Sequence, residues 1–468
     1  MSALYISAAH KSSGKTTVML GICRALFKRG IALRPFKKGP DYIDPAWLGK
    51  AAGRGCFNLD FYTSSRREIV SLFQSKSVGL DLSLIEGNKG LYDGMDINGS
   101  DSNAALAKLL DTPVVLVIDT MGMTRGIAPL LIGYRDFDPD VRIAGVILNR
   151  VGGPRHEAKL VESVERFTDI PVLGAVPRFR DGIIEERHLG LIPAHEDEQA
   201  ANTLDRLGDL MAEHVDLDRL LALAAGAKIT GRDVTEQHEP QDSLTSSRRL
   251  RIGVARDEAF GFYYTDDLEA FRAAGAEIVW INMVEDPLLP DIDGLFIGGG
   301  FPETAMHKLS ANKMMRESVR KAIEAGLPCY AECGGLMYLA RSIEWQNDMV
   351  EMVGVIPGVI SMSSRPHGRG YIRLRETEFA PWPGGDHGKV IAGHEFHYSQ
   401  LEGLPADARF AYDVLRGSGI QEGKDGFVYK NLLASYAHLR DSGQNHWVSR
   451  FLAFVDSIKR PNGATVIS

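Results

Sequence analysis

The chain has 468 residues, room for two or three domains at roughly 100–200 residues each, and its 44% hydrophobic and 24% charged content is ordinary for a globular protein. A formal net charge of −8 argues against nucleic acid as the main partner, because phosphate backbones recruit basic surfaces. Cys23, Cys56, Cys329 and Cys333 form no CxxC pair, no signal-type apolar segment opens the sequence, and no apolar run approaches the roughly 20 residues a membrane span needs, so a cytoplasmic location with no membrane partner is expected.

From the N-terminus, short apolar runs alternate with helix-like segments. Strands are predicted at 4–8, 31–36, 82–85, 114–118, 143–148 and 172–174. Residues 17–29 have helical periodicity and finish on Lys28, Arg29 and Gly30, a basic last turn with a glycine C-cap. Strands alternating with helices predict an α/β fold with a mostly parallel sheet. At 225–248 the composition shifts to Gly, Thr, Gln, Ser, Asp and Glu, which reads as a linker between domains at 1–224 and 249–468. A second α/β pattern follows, with strands predicted at 251–255, 277–281, 294–297 and 328–331.

The first predicted strand runs into Ala9-His-Lys-Ser-Ser-Gly-Lys-Thr16, a P-loop with Ala9 at the usual first glycine. Such a loop aims backbone N–H groups and a helix N-terminus at phosphates. Gly14, Lys15, Thr16 and Thr17 are therefore the candidate nucleotide contacts. Lys15 is expected at the β/γ-phosphates and the Thr16 hydroxyl at Mg²⁺.

Later strands each deliver acids to the same sheet edge, where open α/β sheets bind ligands. The second leads into Phe36-Lys-Lys-Gly-Pro-Asp-Tyr-Ile-Asp44-Pro, and the third into Glu86-Gly-Asn-Lys-Gly-Leu-Tyr-Asp93-Gly. Asp41, Asp44, Glu86 and Asp93 are expected to meet there, and repulsion among them calls for metal or cationic partners. Asp119 is either a further ligand or a strand-end cap. Asn149 and Arg150 follow the fifth strand, where an amide can read adenine.

In the second half, Leu-Pro-Cys-Tyr-Ala-Glu-Cys-Gly-Gly at 327–335 carries a strand into a sharp turn of small residues with Cys333 at its apex. This is a nucleophile-elbow pattern, and a helix N-terminus beneath a thiol favours thiolate. Cys329 lies inside the strand and reads as core. Gly299 and Gly300, in Gly298-Gly-Gly-Phe-Pro-Glu303, and Gly334 are the candidate oxyanion donors. His438 is the preferred base. His394 and His397 are the alternatives, and their spacing is not that of a HExxH zinc motif.

Taken together, these motifs resemble the cobyrinic acid a,c-diamide synthase family over nearly the whole chain. The matching stretches are GKTT at 14–17, GPDYIDP at 39–45, EG..GLYDG at 86–94, GVILNRVG at 145–152, ERHLGLIPAHE at 186–196, GGGFPE at 298–303, AECGGLMYL at 331–339, GHEFHYS at 393–399 and SYAHL at 435–439. The resemblance implies a P-loop dethiobiotin-synthetase-like domain joined to a class I glutamine amidotransferase domain, and a glutamine-hydrolysing carbon–nitrogen ligase. It implies ATP and Mg²⁺, with Thr16, Asp41 and Glu86 at the metal. Asp41, Asp44, Glu86 and Asp93 would organise magnesium and the substrate carboxylate. Cys333 would form a glutamyl thioester with His438 as partner, and the ammonia would travel to a carboxylate phosphorylated by ATP. The resemblance is also compatible with a homodimer.

Three features depart from the family pattern. Related amidotransferases place a Glu two residues after the catalytic His, where Arg440 stands here, so a Cys–His dyad with some other orienting group is expected. The signature lysine of ParA-like ATPases is replaced by His10. Lys38 and Lys89 stand where corrinoid enzymes are apolar; with Tyr42 they are the candidate substrate contacts, and they favour a more anionic tetrapyrrole. The branch that amidates siroheme is therefore the first expectation, with cobyrinate or hydrogenobyrinate as the alternative. From other classes, a non-catalytic ParA-like switch, a tetrapyrrole carrier or another glutamine-dependent ligase remain as rivals.

Overall fold

The computed structural model describes residues 2–178, 186–187, 190–191, 200–227, 249–385, 388–443 and 445–459. The chain divides into two compact units, Met1–Glu236 and Gln237–Ser468. Most of the predicted linker, from 228 to 248, lies outside the described residues.

The first unit alternates strand and helix: β1 (Ala3–Ala8), α1 (Lys15–Lys28), β2 (Leu33–Lys38), α2 (Ile43–Ala52), β3 (Phe57–Leu59), α3 (Arg66–Ser77), β4 (Leu82–Glu86), α4 (Asn103–Leu109), β5 (Val114–Asp119), α5 (Ile127–Phe137), β6 (Ile143–Val151), α6 (Pro154–Phe167) and β7 (Val172–Pro177). A short hairpin, β8 (Glu186–Arg187) and β9 (Gly190–Leu191), then precedes α7 (Ala200–His214) and α8 (Leu217–Ala224). The rest of the ERHLGLIPAHE stretch lies outside the described residues. Seven strands form one sheet in the order β3-β2-β4-β1-β5-β6-β7, and every pairing is parallel. Parallel strands need crossovers, and the helices supply them while covering the sheet faces. Tyr5, Phe36, Ile85, Leu116 and Leu148 build part of the core between sheet and helices. On α1, a Cβ at Gly21 would stand 2.6 Å from the Leu207 carbonyl oxygen, so glycine is what lets α1 and α7 pack this closely.

β2 runs two residues past the predicted end. Its pairing with β4 continues to Lys37 opposite Glu86. That extension brings a lysine to the functional edge of the sheet.

The second unit contains β10 (Arg251–Ala255), β11 (Phe260–Phe262), α9 (Thr265–Ala273), β12 (Glu277–Ile281), β13 (Gly294–Ile297), β14 (Gly299–Gly300), α10 (Met306–Ala311), α11 (Lys313–Glu324), β15 (Cys329–Glu332) and α12 (Gly334–Leu339). There follow β16 (Ala340–Trp345), β17 (Asp348–Glu351), β18 (Ile356–Met362), β19 (Gly368–Glu376), β20 (Val390–His397), β21 (Ser399–Glu402), β22 (Arg409–Arg416), β23 (Lys424–Tyr429), β24 (Leu432–Ser435) and α13 (Trp447–Lys459). The main sheet has nine strands in the order β12-β10-β13-β15-β24-β23-β22-β19-β20. It is parallel from β12 to β24 and antiparallel beyond. One face is an aromatic layer of Phe271, Phe296, Tyr330, Trp447 and Phe451. The other packs Leu295, Ile297, Cys329, Leu336 and Tyr338, so Cys329 is core as expected.

Candidate active sites

In the first unit the P-loop joins β1 to α1. Gly14 caps the helix with φ 80°, a left-handed conformation that glycine adopts without strain. The loop is pinned from both sides. Ser13 Oγ donates to the His10 carbonyl at 2.8 Å, and Asn149 Nδ2 donates to the Ser13 carbonyl at 2.8 Å. A Cβ on Gly14 would lie 2.3 Å from that same Nδ2. Asn149, the residue expected to read adenine, also holds the phosphate loop through its amide NH₂. Arg150, expected at the nucleotide, donates its guanidinium to Asp119 at 2.6 Å, and Asp119 also accepts the Met121 N–H at 3.0 Å. The latter contact fits the strand-end-cap reading of Asp119. Thr17 is half-buried one residue along from Thr16 in the first turn.

The acids at the sheet edge gather around a residue that the motifs did not single out. Lys37 Nζ lies 2.5 Å from Asp44, 3.1 Å from Glu86 and 4.0 Å from Asp41. Thr16 Oγ1 donates to Glu86 Oε1 at 2.6 Å. Burial opposes the Lys37 charge, but Asp44, Glu86 and Asp41 outweigh it and hold the ammonium above its usual range. Burial raises Glu86, which is fully enclosed, and burial also raises Asp41, reinforced by Asp44. Asp44 is only half-buried; desolvation pushes it up, yet Lys37 keeps it below the usual carboxylate range. Burial and the neighbouring Lys37 lower Lys15. Asp41 Oδ1 accepts the N–H groups of Ile43 and Asp44 at the start of α2. Asn58 Nδ2 fixes the loop by donating to the carbonyls of Gly39 and Asp41, each at 2.8 Å.

Two expectations are corrected here. Asp93 is not among the acids around Lys37; it accepts the Gly90 N–H at 2.9 Å and closes its own loop. Lys38 alternates to the opposite side of β2 from Lys37, is buried, and donates to Asn88 at 3.3 Å. Lys89, at φ 39°, is exposed, and Tyr42 is buried in the 39–45 loop. Neither substrate lysine is among the partners of the acid cluster.

Among the described residues, no group of three or more His, Cys, Asp or Glu side chains is arranged to hold a metal ion by itself. The fit to Mg²⁺ rests on a smaller donor set. Glu86 Oε2 is buried without a hydrogen-bond partner, beside the Thr16 hydroxyl. Mg²⁺ keeps most of its waters and takes one or two protein oxygens together with phosphates, so this hydroxyl and carboxylate suit it.

The second unit builds its site where β15 meets β24. Glu332 is in register with Ser435, and Cys333 N–H donates to the Ser435 carbonyl at 2.7 Å. Cys333 then turns at φ 48° and ψ −98° into α12. A non-glycine residue held there stores on the order of 1–3 kcal/mol, which the surrounding packing must offset. Glycines make that packing possible. A Cβ at Gly334 would meet the Gly300 nitrogen at 2.9 Å, one at Gly300 the Ala259 oxygen at 1.9 Å, and one at Gly299 the His438 ring at 2.6 Å. The three expected oxyanion glycines thus cluster beside Cys333 and His438.

Burial works against the expected thiolate. Burial pushes the Cys333 thiol up, Glu303 and Glu332 add to the effect, and the Gly334 N–H opposes it only in part. A helix of one and a half turns supplies too little dipole to reverse that balance.

His438 sits three residues beyond β24. Its ring stacks on His394 with centroids 4.8 Å apart, and the two residues exchange backbone hydrogen bonds. His394 reaches Tyr264 Oη at 3.2 Å through Nδ1. His397 stacks on Tyr436 at 3.8 Å and faces Glu395 at 3.6 Å. The two alternative bases are therefore packing partners of the site. Arg440 lies against Asp266, with two nitrogens each 2.8 Å from one carboxylate oxygen. The acid that faces His438 Nδ1 is Glu332, at 3.4 Å. Sequence reasoning passed over it, although a carboxylate closing a buried strand directly before the nucleophile was a readable signal.

Two family descriptions match the chain. Residues 6–191 match the CobQ/CobB/MinD/ParA nucleotide binding domain, and residues 251–445 match the CobB/CobQ-like glutamine amidotransferase domain. A protein of Magnetococcus marinus named cobyrinate a,c-diamide synthase is 47% identical, with 96% of each chain covered. Proteins of the same name from Methanosarcina acetivorans and Archaeoglobus fulgidus are 42% and 39% identical; they cover 93% and 96% of this chain and are themselves covered over 91% and 96%. No helix among the described residues is long and apolar enough to cross a membrane.

Proposed function

The chain belongs to the cobyrinate a,c-diamide synthase family, and from that premise we propose that this glutamine-hydrolysing ligase amidates the a and c acetate carboxylates of cobyrinate. The observation that carries the reading is the pairing, in one chain, of Cys333 at a strained elbow beside His438 with a P-loop facing Lys37 and its acids.

In the second unit, His438 takes the Cys333 proton as sulfur attacks the side-chain amide carbon of glutamine. Backbone N–H groups around Gly299, Gly300 and Gly334 face the developing oxyanion. The proton then passes to the leaving ammonia, and water hydrolyses the glutamyl thioester. In the first unit, a substrate carboxylate attacks the γ-phosphorus of ATP, the bond to the β-phosphate oxygen breaks and ADP leaves, and Lys15 and Lys37 face the charge that spreads over the transferring group. Mg²⁺, held by Thr16 and Glu86, would neutralise phosphate charge. Asp41 and Asp44 hold Lys37 in place and, with Tyr42, border the approach of the carboxylate. Ammonia displaces phosphate from the acyl phosphate and leaves the amide. Glutamine and an anionic tetrapyrrole are thus the small-molecule partners, and the reaction belongs in the cytoplasm.

Siroheme, the first expectation from sequence, is set aside. It leaned on Lys38 and Lys89 standing beside the substrate acids, whereas Lys38 is buried against Asn88, and the relatives described above carry cobyrinate in their names. The test is mass spectrometry of cobyrinate, hydrogenobyrinate and siroheme, each incubated with enzyme, ATP, Mg²⁺ and glutamine. Two successive replacements of OH by NH₂ on cobyrinate are expected. Conversion of siroheme alone would overturn the substrate assignment.

A further inference from the structure

We propose that Glu332 is the positioning residue for His438, which makes the glutaminase a Cys–His–Glu arrangement whose acid comes from the nucleophile's own strand. This rests on the Cys333–His438 reading above. Three observations carry it.

The first is geometric. Glu332 Oε2 lies 3.4 Å from His438 Nδ1, and both side chains are 3% exposed. A buried carboxylate facing Nδ1 leaves Nε2 for the thiol and stabilises the imidazolium that forms when the thiol gives up its proton.

The second is that Glu332 is itself fixed. Its other oxygen, Oε1, accepts the Tyr330 hydroxyl at 2.6 Å and the Leu439 N–H at 2.9 Å. The second of these comes from the residue next to His438, so the carboxylate grips the backbone of the segment whose ring it faces. The stacked His394 ring limits the His438 ring from another side.

The third is the displacement of the other candidate. At the position two residues after the histidine, Arg440 is committed to Asp266 and is of the wrong charge. Strand pairing explains the substitute. Glu332 and Ser435 are neighbours on β15 and β24, and three further residues bring His438 back over Glu332. The turn at Cys333 sends the thiol onward while Glu332 stays within the sheet.

Glu332→Gln keeps the size and an oxygen that can still accept from Tyr330 and Leu439, so it separates positioning from packing. In the full-length protein, Glu332→Gln is expected to lower kcat for glutamine hydrolysis by about 10²–10⁴-fold with KM for glutamine little changed. The acid limb of its kcat/KM profile should be displaced, and Glu332→Asp should recover part of the rate. Ligation driven by ammonium chloride, which uses the first unit, should persist. Wild-type glutamine turnover and an unchanged pH profile in Glu332→Gln would overturn the proposal. So would a parallel loss of ammonia-driven ligation and folding, which would mark Glu332 as structural only. Cys333→Ser tells the two readings apart. If it still uses glutamine, the nucleophile assignment itself falls. If it does not, while Glu332→Gln does, only the role of Glu332 falls.

Discussion

Thr16 donates its hydroxyl to one oxygen of Glu86 at 2.6 Å, while the other Glu86 oxygen is buried without a hydrogen-bond partner. A buried acceptor left open is costly, by about 1–3 kcal/mol, and a cation is the natural complement for a carboxylate. Glu86→Gln is therefore expected to reduce ATP-dependent ligation by at least about 10²-fold and to raise the Mg²⁺ concentration needed for half-maximal rate. Glutamine hydrolysis assayed alone should continue, both in this variant and after chelation with EDTA. A magnesium titration that superimposes on the wild type would refute the role given to Glu86.

Lys37 is the cation facing three acids, one of them fully enclosed. Lys37→Met should lower the stability of the first unit by roughly 3–5 kcal/mol, the range for breaking a buried pair, less whatever Glu86 recovers by taking up a proton. Adding Glu86→Gln should restore part of the loss, because the two residues are in contact and their effects will not add. Thermal unfolding of the single and double variants checks this. Strict additivity would mean that Lys37 is not balancing Glu86.

Two adjacent glycines should fail differently. A methyl group at Gly300 points into the Ala259 carbonyl oxygen at 1.9 Å, a backbone clash, whereas one at Gly299 meets the His438 ring at 2.6 Å. Gly300→Ala should destabilise the second unit by more than about 1–3 kcal/mol, the usual range for overpacking. Gly299→Ala should unfold at a temperature nearer the wild type but lose glutamine hydrolysis, since the imidazole must move. Paired melting and glutaminase assays distinguish the two; equal stability losses would contradict the contacts described.

His394 supplies a pH dependence. Burial, and next the proximity of His438, hold its imidazole well below the usual value. It stays neutral in the folded protein, while the unfolded chain takes up a proton below about pH 6.5. Its contribution to stability is complete above that pH and is lost as the pH falls, by up to about 1.4 kcal/mol per unit. His394→Gln lacks this linkage. The variant should be less stable than wild type at pH 8, and the gap should narrow towards pH 5. Urea unfolding followed by the fluorescence of the buried Trp382 and Trp447 measures it. A gap that widens on acidification would show that His394 is already charged in the folded state.

Most parallel strands of both units were legible in the sequence because fully buried strands read as apolar runs bounded by turns; the short β3 and β24, also parallel, were not. The P-loop and the Cys333 elbow were legible for a different reason: each depends on glycines at fixed offsets from one chemical residue. What escaped was whatever depends on pairing between distant strands. Lys37 matters because β2 runs on beside β4 until it faces Glu86, and an end set at residue 36 hid it. Glu332 matters because β15 and β24 are neighbours. Lys38 was overread because adjacent strand residues face opposite ways, and adjacency in sequence was taken for adjacency in space. The antiparallel wing of the second unit (β23, β22, β19 and β20) mixes polar and apolar residues along its strands and left no unbroken apolar run to find.

The enclosure of Cys333 also bears on how the protein endures. Oxidants and alkylating agents attack thiolates, and they need access. A sulfur only 6% exposed, in surroundings that disfavour its charged form, offers little of either before glutamine binds. The idle site is in this sense self-protecting: its chemical vulnerability is confined to the moments when it turns over.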